Sequence, residues 1–205
     1  MAERRGGAPV PECDTRIIGE DWYGRDLSGQ TFERTLFVDL DLTEATSSGA
    51  VFTECTFRGA KFNASRHEET AFLNCTFAAC NFFDARFVGA KLTGSMFDGC
   101  EFPLLKVEGG DWSFVGLPGA ALERTEFIGV RMREVDLTHA RCAEATLSHC
   151  DLSASWFHGA DFSQATLTGS DLTGLDPAEA QLRGAFIDEH QAVQLAEAMG
   201  LRVIG

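Results

Sequence analysis

The sequence predicts an all-β fold, a single solenoid rod built from square coils whose sides are five residues long. Three observations predict it. A large apolar residue recurs at every fifth position, and of the 34 such positions from Trp22 to Ile187 only Ser47, His67 and Pro177 are not apolar. Two residues earlier the chain is small, with 25 of 34 positions Ala, Cys, Ser, Thr or Gly. The residue just before the centre is often Asp or Asn, as at Asp41, Asn81, Asp136, Asp151, Asp161 and Asp171. Five steps around an α-helix advance about 140° and spread side chains over every face. On a strand, an odd step sends successive side chains to opposite faces. A square coil satisfies the period: centre and small partner point inward, a turn makes each corner, and four units close one coil.

Each segment follows in order. Residues 1–16, opening MAERRGGAPVPECDT, are rich in Gly, Pro and charge and read as a flexible tail. Residues 17–187 carry the repeat. Stacked by twenties, the centres form ladders such as Phe37, Phe57, Phe77, Phe97 and Phe62, Phe82, Phe102. Each buried large side chain contributes about 1.5–3 kcal/mol, so these ladders are the main stabilising element. Gly59, Gly89 and Gly159 suit corners that need positive φ. The frame never slips, so no long loop is expected between 22 and 187. Leu105, Val115, Val130 and Val135 overfill the small inward position, and with Pro103 and Pro118 they predict a local change of corner type or a kink. Residues 188–205 change period: Asp188 with Gln191 makes a capping box, Val193, Leu195, Ala196 and Met199 give an apolar stripe, and Gly200 is a stop. Leu201, Val203 and Ile204 alternate like a short strand. The segment is expected to cap the rod's open end and to form a homodimer contact through those seven apolar residues.

Composition narrows the function. Seventeen Lys and Arg against 31 Asp and Glu give a formal net charge of −14, which disfavours direct binding to nucleic acid or to an anionic membrane. No signal peptide and no apolar run of membrane-spanning length is seen, so a cytoplasmic protein is expected. Seven cysteines without a CxxC pair read as free thiols in a reducing compartment.

Candidate chemistry is sparse. Ser47 and His67 are one coil apart in an inward column, which makes them a hydrogen-bonded core pair rather than a nucleophile and base. Cys55 with Cys75, and Cys80 with Cys100, stack likewise as free thiols. His139 and His158 approach on the outside without a third ligand. No enzyme, cofactor or metal is expected. Outward apolar residues Phe83, Pro103 and Leu104 form one candidate contact patch, and Leu36, Met96 and Trp156 share another outward column. About eight coils at about 4.8 Å give a rod on the order of 40 Å long. Its net charge is then one per roughly 3 Å, about half the line density of duplex DNA.

Units such as GADFS, GSDLT and HCDLS resemble the pentapeptide-repeat family, whose fold is a right-handed quadrilateral β-helix. The closing EHQAVQLAEAMGLRVIG, with the acidity and the unbroken repeat, is similar to the MfpA/Qnr quinolone-resistance group of that family. The resemblance implies a homodimeric DNA mimic that binds DNA gyrase, a type II topoisomerase, and protects it from quinolones. Asp136, Asp151, Asp161 and Asp171 are the acidic residues expected to meet that partner. Two other readings fit the same residues: a scaffold rod for another protein, and self-protection against a gyrase-directed natural product.

Overall fold

The computed structural model describes residues 10–204. They form a parallel β-solenoid in which residues twenty apart pair, as Phe37 with Phe57 and Phe87 with Val107. The rod starts at strand Thr15–Ile18, paired with Thr35–Val38, slightly before the expected 17. Most of the expected tail lies outside the described residues.

Each of the four faces carries its own column of centres. On the first, strands Thr15–Ile18, Thr35–Val38, Thr56–Arg58, Thr76–Ala78 and Met96–Asp98 make a five-stranded sheet. The second, with centres Leu42, Phe62, Phe82 and Phe102, has only single bridges such as Asp41 to Lys61 and Asn81 to Glu101. The third runs through Ser47, His67, Phe87 and Val107 as a six-stranded sheet from Thr46–Ser48 to Thr146–Ser148. The fourth has three strands, Thr31–Glu33, Val51–Thr53 and Ala71–Leu73, and continues as bridges.

The residue before the centre bears on which sides become strands, although Lys61, Arg131 and Trp156 stand there on turn sides. Thr, Val, Leu, Met, Arg and Lys dominate that place on strand sides, where long or branched side chains suit the pleat. Asp or Asn stands there only on turn sides. At Asp21, Asp26, Asp41, Asn81, Asp111, Asp136, Asp151, Asp161 and Asp171 the side-chain oxygen accepts the N–H two residues on, at 2.8–3.2 Å. This local bond competes with a strand and makes the turn.

Every corner from residue 19 to 174 has positive φ, whether glycine or not. Leu104 and Phe114, both at φ 61, are the large apolar exceptions among Gly, Ala and polar residues. The rule fails at Glu179. There Asp176–Ala180 forms a wider turn, and Gly159 donates to Glu179 instead of to the next residue of the register, 178. Pro177 offers no N–H and a fixed φ, so the expected unbroken frame is locally lost and resumes at Gln181.

Inside, three phenylalanine ladders stack with centroids 4.7–5.5 Å apart and planes within 14°. Rings of adjoining ladders meet edge-on, as Phe77 with Phe82 at 71°. The small partner has a second task. Cys75, Cys80, Ser95, Cys150 and Ser170 donate to the carbonyl of a centre one coil back, at 2.7–3.5 Å. The thiols are free, as expected. Burial holds the Cys150 thiol up at about 11, far from a reactive thiolate.

The overfilled positions are buried without interrupting the ladder: Leu105, Val115 and Val130 are 1% exposed and Val135 0%. Each precedes a centre smaller than phenylalanine, namely Val107, Leu117, Met132 and Leu137. The inward volume of a side is thus shared between its two residues. The corner type does change here, but not locally. The fourth face loses its strands at Leu92 and the first at Leu117, and neither recovers them.

The C-terminal helix is Glu189–Ala198, with the expected Asp188–Gln191 capping box and Gly200 at φ 81 after its end. The expected strand at Leu201–Ile204 is absent, because an extended segment without a neighbour has no ladder to join. Gln191 is 2% exposed, and its amide donates to the carbonyls of Leu167 and Ser170 at 2.6 and 2.7 Å. In a continued coil the backbone N–H of residue 191 would serve Ser170, as Phe186 serves Ala165. The side chain replaces it, and Asp188 accepts from Gly169 N at 2.9 Å. The helix therefore plugs the rod.

Candidate protein-binding surfaces

The inward polar residues form a closed network. Ser47 Oγ lies 2.8 Å from His67 Nδ1 and 2.7 Å from Thr70 Oγ1, and His67 Nε2 is 3.0 Å from Ser65 Oγ. His67 is 1% exposed and stacks on Phe87 at 4.8 Å. Burial pushes its pKa down to about 3, so it is a neutral core residue. The sequence reading of this pair holds. His139 and His158 do meet, with ring centroids 5.5 Å apart, and His158 faces Glu179 at 3.4 Å. Among the described residues no group of three potential metal ligands exists.

The four aspartates expected to meet a partner lie on three faces. Asp136 lies on the first face, Asp161 on the second, and Asp151 and Asp171 on the fourth. All four lock turns, as described above. Asp136 is 8% exposed, covered where the chain stacks Trp156 in its column. Asp151 is 3.9 Å from Arg133. Asp171 is exposed and Asp161 half-buried.

Negative charge is instead spread along the rod and interleaved with cations by the register. Lys61 sits over Asp41, Arg131 over Asp111, Lys106 beside Glu126 and Arg124 beside Glu144, at 2.7–3.6 Å. The Arg124–Glu144 pair holds the glutamate below the ordinary carboxylate range.

Two exposed apolar areas stand out. Phe83 (45%) and Leu104 (51%) flank Pro103 at the edge between the second and third faces, as the sequence suggested. At the C-terminal end Phe186, Met199, Leu201, Val203 and Ile204 are exposed. Val193, Leu195 and Ala196 are half-buried, with Leu195 packed against the molecule's own core. Met96 (8%) is largely covered, where Gly116 one coil on leaves room for its side chain. No described helix is long and apolar enough to cross a membrane.

A square parallel solenoid with a five-residue unit, shallow surface hollows and a plugged end defines a class of repeat rod whose working surface is its outside. The family model for pentapeptide repeats matches residues 32–66, 117–153 and 145–187 in 8 copies, just over half of the chain. The chain belongs to the pentapeptide-repeat family. No curated protein matches it in sequence. Among solved structures it resembles full-length QnrB1, a plasmid-mediated fluoroquinolone resistance protein, at TM-score 0.57 and 20% identity, covering 91% of this chain and 98% of that one. A trypsin-treated QnrB1 variant matches at TM-score 0.54 and 22% identity, over 94% of this chain and 99% of that one.

Proposed function

We propose that the chain is a DNA-mimicking rod that binds DNA gyrase and protects it from fluoroquinolones. The observation that carries the reading is the combination of a net charge of −14 with a plugged solenoid that follows QnrB1 over 91% of its length. Asp151 and Asp171, adjacent in register on the fourth face, and the excess of carboxylates along the rod offer a basic groove negative charge in place of phosphates. Asp161 on the second face contributes as well. A second copy covers Met199, Leu201, Val203 and Ile204, giving the extended segment the neighbour it lacks.

Supercoiling by purified gyrase, with and without ciprofloxacin, tests the reading. Added protein is expected to inhibit supercoiling on its own and to reduce drug-stabilised cleavage. Absence of inhibition, rescue and binding would reject it. The charge test uses Asp151→Asn with Asp171→Asn, because Asn keeps the turn-locking acceptor and removes only the charge. Unchanged gyrase affinity in that variant would remove the fourth face from the interface. Light scattering of the purified chain checks the dimer: a monomer mass at micromolar concentration refutes it.

A further inference from the structure

We propose that the third face carries a docking site for an acidic peptide segment with interspersed apolar side chains, formed by Arg66, Arg86 and Lys106 with Phe83, Pro103 and Leu104. The site is independent of the gyrase reading and has the opposite sign.

Arg86 pairs in register with Arg66 on one side and Lys106 on the other, which stacks three cations at the strand spacing of about 4.8 Å. Like charges directly opposite one another in a ladder are destabilising. Elsewhere the register sets acid over base at Asp41 with Lys61 and Asp111 with Arg131, and acid over acid at Asp21 with Asp41 and Asp151 with Asp171, but it stacks cations in succession only here among the described residues. Here Lys106 reaches Glu126 at 2.7 Å, while Arg66 and Arg86 are exposed and make no ion pair among the described residues. The core does not require them, since these side chains point outward beside buried His67 and Phe87. In a chain with a net charge of −14, two stacked arginines without an ion pair are a local concentration of positive charge that the core does not use.

The stripe borders a hollow of about 110 Å³ shared with Glu68, Val88 and Glu108. Across the corner stand Phe83 and Leu104, 45% and 51% exposed. Leu104 occupies a corner at φ 61, a conformation that costs a branched side chain about 1–2 kcal/mol and that glycine adopts freely at other corners. A strained, exposed leucine next to three cations gives the site its apolar half.

The chemistry selects the partner. Glu68 and Glu108 border the stripe, so the site suits a segment whose negative charges are sparse enough to meet the arginines singly, not the dense charge of a phosphate backbone. Carboxylates spaced along an extended peptide, at about 3.3 Å per residue, reach the cations singly while alternate apolar side chains lie on Phe83, Pro103 and Leu104.

The test is fluorescence anisotropy on the full chain with a fluorescein-labelled synthetic peptide alternating glutamate with leucine and phenylalanine. An oligothymidylate of equal charge and a lysine–leucine peptide serve as comparisons. Saturable binding of the acidic peptide is expected, weaker by about tenfold or more in Arg66→Glu with Arg86→Glu. Leu104→Gly is expected to weaken it about threefold while leaving the melting temperature equal or higher, because the variant relieves the corner. That combination separates lost contact from lost fold. The proposal is overturned if the acidic peptide fails to bind or binds both variants as well as the parent. It is also overturned if oligothymidylate binds more tightly, which would make the stripe a phosphate site. A solution dimer abolished by the arginine reversals would assign the stripe to a second copy instead.

Discussion

The two halves of the rod fill the same frame differently. Up to Phe102 the core is mostly stacked phenylalanine with small partners, and strands occupy three faces of four. Beyond it leucine dominates, several partners enlarge to valine or leucine, and only the third face keeps its strands. The core is continuous across the change, and the large ring of Trp112 bridges it, touching Phe87, Phe97 and Phe127 at 5.5–6.1 Å. Where valine or leucine replaces the small partner, a pentapeptide side therefore balances its inward volume between its two residues and does not depend on a particular one.

If ring stacking distinguishes the first half, its centres should be the more costly to truncate. Phe77 lies between Phe57 at 5.0 Å and Phe97 at 4.7 Å and is 1% exposed. Phe77→Ala is expected to lower unfolding free energy by about 3–5 kcal/mol, and Leu137→Ala by about 2–5 kcal/mol with the smaller value of the pair. Urea unfolding of both decides it, and a larger loss at Leu137 would break the contrast.

Acid should separate the halves as well. The Ser47–His67 network lies in the first half, whereas the same column continues as Val107, Phe127 and Leu147. His67 has a folded pKa of about 3 against an ordinary 6.5, so the unfolded chain takes up the proton first. Its stabilising contribution is complete above pH 6.5 and declines by about 1.4 kcal/mol per unit as pH falls towards 3. Between pH 6.5 and 5 most carboxylates stay ionised. Over that interval the melting temperature should fall in the parent and stay nearly level in Ser47→Ala with His67→Phe. Equal slopes would place the acid sensitivity elsewhere.

The far end offers a third contrast. Gln191→Leu leaves the Ser170 carbonyl without its partner at a cost of about 1–3 kcal/mol. Because coils interact only with neighbours, hydrogen exchange should accelerate in residues 160–187 and remain unchanged around Phe57. Acceleration along the whole rod would show instead that the plug is coupled to every coil.

Most of this fold was legible in the sequence because each inward residue repeats its neighbour's environment. The helix cap was legible for a different reason, since Asp188 and Gln191 signal locally. Other features depend on what stacks one coil away. The aspartates before the centres were visible but ambiguous: the same carboxylate that adds charge also closes its turn, and only coordinates show that Asp136 is covered. The Arg66–Arg86–Lys106 stripe needs the register of twenty applied to outward positions, where apolar periodicity gives no signal. Gln191 reaching two carbonyls across the end of the rod is a tertiary event with no sequence mark.

The volume rule itself is open to the finest test. Ala60 and Phe62 are each 1% exposed and belong to one side of the first half. Ala60→Val overpacks it and should cost about 1–3 kcal/mol. Phe62→Leu leaves a gap where Phe82 stacks at 4.8 Å, and should cost about as much. Together they recreate the pairing that Val135 and Leu137 use in the second half. The double variant should then be more stable than the sum of the singles by about 1 kcal/mol. Strict additivity would mean that each inward position is filled by its own stack along the rod, and the valines of the second half would need another cause. A favourable coupling would establish the five-residue side as the unit in which this chain balances its core.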